Sequence, residues 1–531
     1  MPEQVLQLGE AFKKGLRSDV KETRGVDSLV TCNYLRPRGS GLEELSIASS
    51  PVSSGELTAN SITVGTTGPQ YFRGNEKSYV LTSTKLYEYD EDTDTLTQVT
   101  LYAYDSQGDF STIVVGQLWQ GANQGDFWLF WNGACHIIIK PYTTNSTDLR
   151  AFVNDTNTIN TGCMWKGRTF FGGFSQSDYY GTLPSWPSFW ENNQTNLGSW
   201  DTRFDLTNKG PKENWVWWSS IGGGDTLVNQ GNADGLALQR DGMEGLPTDT
   251  NNTTDPLTHF YNLRNESGFM PMPWQGQVHT VKPLGRHIVV YGEGGVSALN
   301  PITDPVPTMG LIPEVHNVGV PFRGLVGGNE HIHYFIDDRG TLYMMGTDLQ
   351  PKRIGYEEFL SAYTTSYDKQ MLTYDPQEGD LWISNSTTGY GFNPKSGLWK
   401  EQTRYNDAGV AAEGGFLAFF TTLNSDNPTL TSKIIDFPRN SLQTLTRVDI
   451  LFDQGASTAN ITLKVDTVDD ADDSSWYEEL NADSGQWAYS EPMITARAFK
   501  VTLTSSQSDV KIEDCILTFN NDGKKDLRKF F

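Results

Sequence analysis

The feature that most limits how this 531-residue chain can fold is a loose unit recurring between residues 70 and 435. Each instance has an apolar strand, an acidic or glycine-bearing turn, and a second strand ending near an aromatic. KLYEYDEDTDTLTQV (85–99), DFWLFWNGACHIIIK (126–140), HIVVYGEGGVSALNP (287–301) and HYFIDDRGTLYMMG (333–346) are four such stretches. The fullest, MLTYDPQEGDLWISNSTTGYGFNPKSGLWKEQT (371–403), reads as three strands with turns at 375–379 and 393–397. Turn residues between apolar runs predict antiparallel hairpins. Hairpins repeating every ~40–50 residues have two main solutions, a β-propeller or a pair of sandwiches. A lone blade cannot bury both faces, so blades must stack around an axis, with a Trp such as Trp382 or Trp399 filling between them. The expected fold is therefore all-β, a propeller of six or seven blades with long loop insertions.

Composition agrees with that reading. Gly 52 and 12% aromatic residues suit short strands joined by tight turns. Helical periodicity is nearly absent; it is clearest at 3–16 and 356–363, where Tyr356, Phe359 and Leu360 share a face.

Residues 1–65 read as an N-terminal arm packing on the propeller or on a neighbouring molecule, the alternative being a strand and loop tucked against their own domain. Its NYLRPRGSGLEEL stretch supplies candidate interface residues Asn33, Leu35, Arg36, Pro37 and Leu42. The propeller is expected over 66–438, interrupted at about 175–275 by loops rich in Trp, Asn, Gly and Pro. Trp186, Trp190 and Trp200 in those loops are candidate binding residues, since long ordered loops carrying aromatics are commonly contact surfaces; folding back as a satellite core is the alternative. Over 439–520, period-2 alternation (Val448, Ile450, Phe452; Ile461, Leu463, Val465; Phe499, Val501, Leu503) predicts an antiparallel β-sandwich. A basic tail, 521–531, ends in Phe530 and Phe531 and is a candidate docking element.

Lys and Arg total 40 against 65 Asp and Glu, a net charge of −25, which disfavours gripping nucleic acid or anionic membranes. Cys32, Cys135, Cys163 and Cys515 have no paired spacing and read as small buried hydrophobes. No stretch of ~18 apolar residues occurs, so membrane insertion is not expected and synthesis in the cytoplasm is.

Residue patterns that would carry chemistry are few. The acidic run Asp466, Asp469, Asp470, Asp472, Asp473, Glu478, Glu479 lacks the spaced ligands and glycine of a calcium loop and reads as a solvated hairpin loop. His331 and His333 would share one face of a strand, with no further metal-ligand spacing beside them. GxSxG and GxxxxGK[ST] are absent, and the aspartate-box repeat of propeller sialidases is not reproduced. No catalytic, cofactor-binding or metal residue is assigned, and an enzyme is not expected.

GVDSLVTCNYLRPRGSGLEEL near the start, GCMWKGRTFFGGF (162–174), NWVWWSS (214–220), VHTVKPLGRHIVVYGEGGVSAL (278–299), the 324–359 stretch and TSKIIDFPRNSLQTLTRVDI (431–450) together resemble the tail nozzle, or packaged-DNA stabilisation, proteins of short-tailed bacteriophages. The resemblance covers most of 25–450 in style and order. It implies a virion tail protein made in the host bacterial cytoplasm. The implied assembly is a homo-hexameric ring below an adaptor (head–tail connector) protein, carrying tail fibres or spikes and passing genomic DNA without sequence-specific binding. The alternatives are a receptor-binding or fibre-attachment protein recognising surface glycan, and a propeller glycosidase.

Overall fold

In a computed structural model of the chain, the residues described are 3–16, 29–33, 35–38, 41–44, 52–63, 69–74, 77–103, 109–110, 113–124, 127–141, 149–154, 159–173, 213–218, 268–302, 308–367, 369–376, 378–401, 410–411, 428–437, 441–454, 459–468, 474–482, 486–505 and 510–521. They are mostly strand, and each hairpin expected above is present. Backbone contacts divide the chain into two units: 49–374 with 405–420, and 1–48 with 375–404 and 421–531.

The first unit holds five sheets in chain order, each a four-stranded antiparallel meander. The first comprises Gln70–Arg73, Ser78–Leu81, Leu86–Asp90 and Thr95–Gln98; the second, Gln120–Gln124, Phe127–Trp131, His136–Pro141 and Leu149–Asn154. Thr161–Trp165, Arg168–Gly172, Trp215–Trp218 and Gly268–Pro271 make the third. Val278–Leu284, His287–Gly292, Gly295–Ile302 and Thr308–His316 make the fourth, and Val326–Gly328, Ile332–Ile336, Leu342–Gly346 and Pro351–Gly355 the fifth. The hairpins seen in the sequence are thus halves of four-stranded sheets. Two short parallel additions extend them: Val410–Ala411 beside Gln70–Arg73, and Leu101–Ala103 beside Leu149–Asn154. Among the described residues no sheet closes on itself.

Side-chain amides and carboxylates make the turns. Asp337 Oδ1 accepts the N–H groups of Arg339 (3.0 Å) and Thr341 (2.8 Å), and Asn132 Oδ1 those of Ala134 (2.9 Å) and Cys135 (2.8 Å). Such bonds replace the backbone partners a reversing chain lacks. Glycine completes these two turns, Gly133 at φ +82° and Gly340 at φ +83°, where a Cβ is unfavourable.

Consecutive sheets are layered through apolar faces. Phe72 and Tyr79 of the first sheet pack with Trp128, Phe130 and Ile137 of the second, and Cys163, Phe170 and Trp218 of the third with Val281, Ile288 and Val290 of the fourth. The first strands of neighbouring sheets are tied by side chains. Gln70 Oε1 accepts the Trp119 N–H (2.6 Å) while its Nε2 donates to the Trp119 carbonyl (3.0 Å). Thr161 Oγ1 accepts the Val281 N–H (2.9 Å), and Lys282 Nζ donates to the Gly328 carbonyl (3.2 Å).

In the second unit two sheets form. One runs Leu35–Arg38, Gly41–Glu44, Val510–Asn521, Gln443–Gln454, Trp487–Ser490, with Glu3–Gln7 also on Val510–Asn521 and Ile494–Ala496 on Gln443–Gln454. In the other, Ala459–Val468 lies between Ser475–Ala482 and Ala498–Ser505. Thr429–Ser432 and Leu29–Asn33 then lead to Gly397–Glu401, Gly389–Asn393 and Asp380–Ser384. Phe519 of the first sheet meets Phe499 of the second at 5.2 Å between ring centroids, with Phe437 4.8 Å from Phe519. The period-2 residues all face inward: Val448, Ile450, Phe452, Ile461, Leu463, Val465, Phe499, Val501 and Leu503 are buried. Trp382 and Trp399 are buried in one sheet, edge to face at 6.0 Å.

Three details differ from the sequence reading. The helix expected over 3–16 is confined to Gly9–Lys14, because Glu3–Gln7 pairs in register with 516–520 and strand pairing overrides local propensity. Described strands of the 1–65 arm, and Asp380–Glu401, join the sheets of 421–531, so the linear division at 438 is not the division in space. His331 is exposed ahead of the strand that begins at Ile332, with its N–H held by Asn329 Oδ1 (2.9 Å), whereas His333 is fully buried, so the two do not form a pair.

Candidate functional site

The arm residues are largely interior. Leu35 and Leu42 are buried and so is Pro37, while Asn33 is half-buried and pairs with Thr429 and Lys400. Arg36, facing the other way along its strand, reaches Glu378 Oε2 at 2.8 Å and Asp380 Oδ2 at 2.8 Å. The second contact is an ion pair without hydrogen-bond alignment. Burial pushes the Asp380 carboxyl above its ordinary value, against the opposing pull of Asn393 Nδ2 (2.7 Å) and Arg36. The apolar residues of this segment therefore pack inside their own unit, and its cation is engaged there. Trp186, Trp190, Trp200, Phe530 and Phe531 lie outside the described residues, as does the 469–473 part of the acidic run. At the margin of that run, Asp466 is held by Lys464 (2.9 Å) and by the Ser475 hydroxyl.

The most concentrated polar structure is one the sequence reading did not single out. Arg323, in the one-turn helix Arg323–Leu325 before the fifth sheet, is buried. Its Nη1 donates to the Asn160 carbonyl (3.3 Å) and Nη2 to the Leu118 carbonyl. Its own carbonyl accepts Thr280 Oγ1 (2.9 Å) and Gln120 Nε2 (3.4 Å). Asn160 Nδ2 donates in turn to the Val278 carbonyl (3.0 Å) and faces His279 Nδ1 (3.3 Å), and His279 Nε2 lies 3.6 Å from Glu293 Oε1. This network joins the entries to the second, third, fourth and fifth sheets. The available signal was an arginine set in the apolar, glycine-flanked run VPFRGLVGG (320–328).

A second buried group is His333, whose Nε2–H donates to the Pro283 carbonyl (3.0 Å) and whose Nδ1 accepts the Tyr291 hydroxyl (2.8 Å). Those bonds fix the neutral tautomer, and burial lowers the pKa to about 3. His136 is equally buried, and burial takes it to about 3 as well. Neither of its ring nitrogens has a hydrogen-bond partner among the described residues. Asp337, the turn-forming carboxylate above, is pushed upward by burial, against the pull of the Thr341 and Arg339 amides.

Among the described residues no three or more His, Cys, Asp or Glu side chains converge to hold a metal ion. All four cysteines are buried and free, as their spacing suggested, and burial raises the thiols of Cys32, Cys163 and Cys515. No helix among these residues is long and apolar enough to cross a membrane.

No protein-family model matches the chain, and no curated protein does. Among solved structures, PorZ, an essential bacterial surface component of the type-IX secretion system of Porphyromonas gingivalis, is 9% identical with a TM-score of 0.30, over 85% of this chain and 46% of PorZ. The chain thus spans under half the length of PorZ. Hsv2 of Kluyveromyces marxianus is 7% identical with a TM-score of 0.26, covering 53% of this chain and 62% of Hsv2. Hsv2 of Kluyveromyces lactis is 8% identical with a TM-score of 0.26, over 63% and 96%. TM-scores of this size fall below what a shared fold requires.

Proposed function

We propose that the chain is a structural virion protein, forming the nozzle ring of a short phage tail, and that it is not an enzyme. On this reading the five meanders are blades of a six- or seven-bladed propeller, and the two sheets of the other unit are a β-sandwich. The observation that carries the proposal is the use made of buried polar side chains. Arg323 and Asn160 tie sheet entries together, Asp337 and Asn132 close turns, and His333 bridges two strands. Such side chains make a stiff frame, the property a conduit under load needs.

The charge fits the same reading. A ring of six copies carries six times −25, or −150, and acidic groups lining a lumen repel phosphate, so that passing DNA does not adhere. The sequence resemblance supplies the rest: six-fold assembly, an adaptor above, fibres or spikes at the side.

The mass of the native particle tests the proposal. Six copies are expected; three would point to a fibre, and one or two at all concentrations would overturn the ring. Retention of linear duplex DNA at low salt would remove the non-adhesive lumen.

A further inference from the structure

Among the described residues, the last strand of each meander is closed to a further strand. The Leu96 N–H of Thr95–Gln98 is taken by Glu56 Oε1 at 2.8 Å, and Leu149–Asn154 is covered by Leu101–Ala103. Gly268–Pro271 ends on a proline, Pro351–Gly355 begins on one, and Thr308–His316 carries Pro313 inside a break in its register. In the second unit, Leu35–Arg38 contains Pro37, and the short pieces Trp487–Ser490 and Ile494–Ala496 are separated by Pro492 and by Met493 at φ +54°. Proline lacks the N–H that pairing needs, and a broken or covered edge does not extend.

Ser475–Ala482 has none of these devices. It ends its sheet, contains no proline, and pairs with Ala459–Val468 in unbroken register from Ser475 opposite Asp466 to Ala482 opposite Ala459. Its side chains alternate. Trp476, Glu478 and Leu480 lie opposite the buried Val465, Leu463 and Ile461, whereas Tyr477, Glu479 and Asn481 are exposed. Glu478 accepts the Ser490 hydroxyl, and Glu479 is open to solvent. On the neighbouring strand Asp466 is already paired with Lys464 at 2.9 Å, so the two glutamates carry the charge of this edge. We propose that Ser475–Ala482 is a docking edge for an extended, basic segment of a partner protein, which adds to the sheet as one more strand.

Charge selects that occupant. Strand addition supplies main-chain hydrogen bonds whatever the sequence, so the side chains opposite the edge decide which segment fits. A second copy of the edge fits badly. The symmetric antiparallel registers that use nearly the whole strand are centred on Glu478 or on Glu479, and each sets two glutamates directly opposite, where like charges repel. Lysine or arginine at those two positions reverses the sign of the interaction. Opposite residues share a face, so the partner residues beside Trp476 and Leu480 are apolar. The segment recognised thus reads apolar, basic, basic, any residue, apolar. The edge rejects its own kind, in a chain of net charge −25, and stays open to a cationic strand.

This proposal is independent of the nozzle reading. Fluorescence anisotropy tests it, with the full chain and a labelled peptide of about ten residues that alternates valine and threonine around two adjacent lysines in that pattern. Saturable binding is expected. N-methylating the amides along one edge of the peptide keeps its charge and removes main-chain donors, and should weaken binding about tenfold or more. In a Glu478→Lys/Glu479→Lys chain, the lysine peptide should bind about tenfold more weakly or worse, and a peptide with two glutamates in their place should bind instead. Absence of binding to the parent chain overturns the proposal. Equal binding of the N-methylated peptide overturns it too, since charge attraction alone then suffices, and so does equal binding of the lysine peptide by both chains. Where circular dichroism shows that the Lys variant has lost its fold, the N-methyl comparison on the parent chain decides.

Discussion

Arg323 donates from Nη1 to the carbonyl of Asn160 at 3.3 Å, joining residues 163 positions apart in sequence through a fully buried guanidinium. A buried hydrogen bond to a charged donor is worth about 1.5–3 kcal/mol, and leaving carbonyls unpaired adds to the loss. Arg323→Ala should therefore destabilise the 49–374 unit by roughly 3–5 kcal/mol, the range for breaking a buried charged contact. Urea unfolding checks this, and a midpoint within experimental scatter of the parent would refute the junction role. Arg323→Lys, which can replace one of the two donations, should fall between.

His333 and His136 make stability depend on pH in a defined direction. Both pKa values fall from 6.5 in the ordinary group to about 3 in the folded chain. The unfolded chain binds protons that the folded one does not, so stability is full above pH 6.5 and declines as pH falls from 6.5 towards 3. A tenfold difference in proton affinity between folded and unfolded chain is worth about 1.4 kcal/mol, so the loss should be visible by about pH 5 as a lower melting temperature. His136→Phe should flatten part of this slope.

That substitution carries a second expectation. Because neither His136 nitrogen has a partner among the described residues, an apolar ring removes a desolvated polar group without breaking a bond. At pH 7 the variant should be as stable as the parent or more so, by about 1 kcal/mol. His333→Phe, which strands the Tyr291 hydroxyl and the Pro283 carbonyl, should instead destabilise it, and calorimetry of the two side by side separates the cases.

Gly324 has no room for a side chain. A Cβ there would stand 1.8 Å from the Gln370 carbonyl oxygen, a backbone atom that cannot swing aside. Gly324→Ala should cost about 1–3 kcal/mol or more, by overpacking. Gly55→Ala, with its nearest neighbour at 3.9 Å and a place in the Ser54–Ala59 helix, should be neutral or stabilising in the same melt.

Removing the arm cation exposes the electrostatics of Asp380. Arg36→Ala leaves a buried carboxylate whose pKa is already raised, and raises it further. A carboxyl with an elevated folded pKa is relieved by protonation, so the variant's deficit should be larger at pH 7 than at pH 5. A deficit independent of pH would place the role of Arg36 in packing instead.

Much of the strand content was written in local order. The runs 85–99, 126–140, 287–301 and 333–346 alternate apolar residues around Asp, Asn and Gly turns, and each forms the hairpin those residues dictate, because turn geometry and side-chain period are short-range properties. The alternation of Val448, Ile450 and Phe452 likewise settled which face is buried.

Leu35, Pro37 and Leu42 show where local order ends. Their composition is that of a contact segment, and they are one, but the surface they contact belongs to their own unit. The sequence by itself determined the strands, the turns, the acidic charge and the lone buried cysteines. Only the tertiary structure decided that Glu3–Gln7 is a strand, that residues 1–48, 375–404 and 421–531 are one unit, and that Arg323 binds four sheets together. Each of these depends on partners tens to hundreds of residues away, whose pairing energy exceeds the local preference and leaves no periodic trace in the chain.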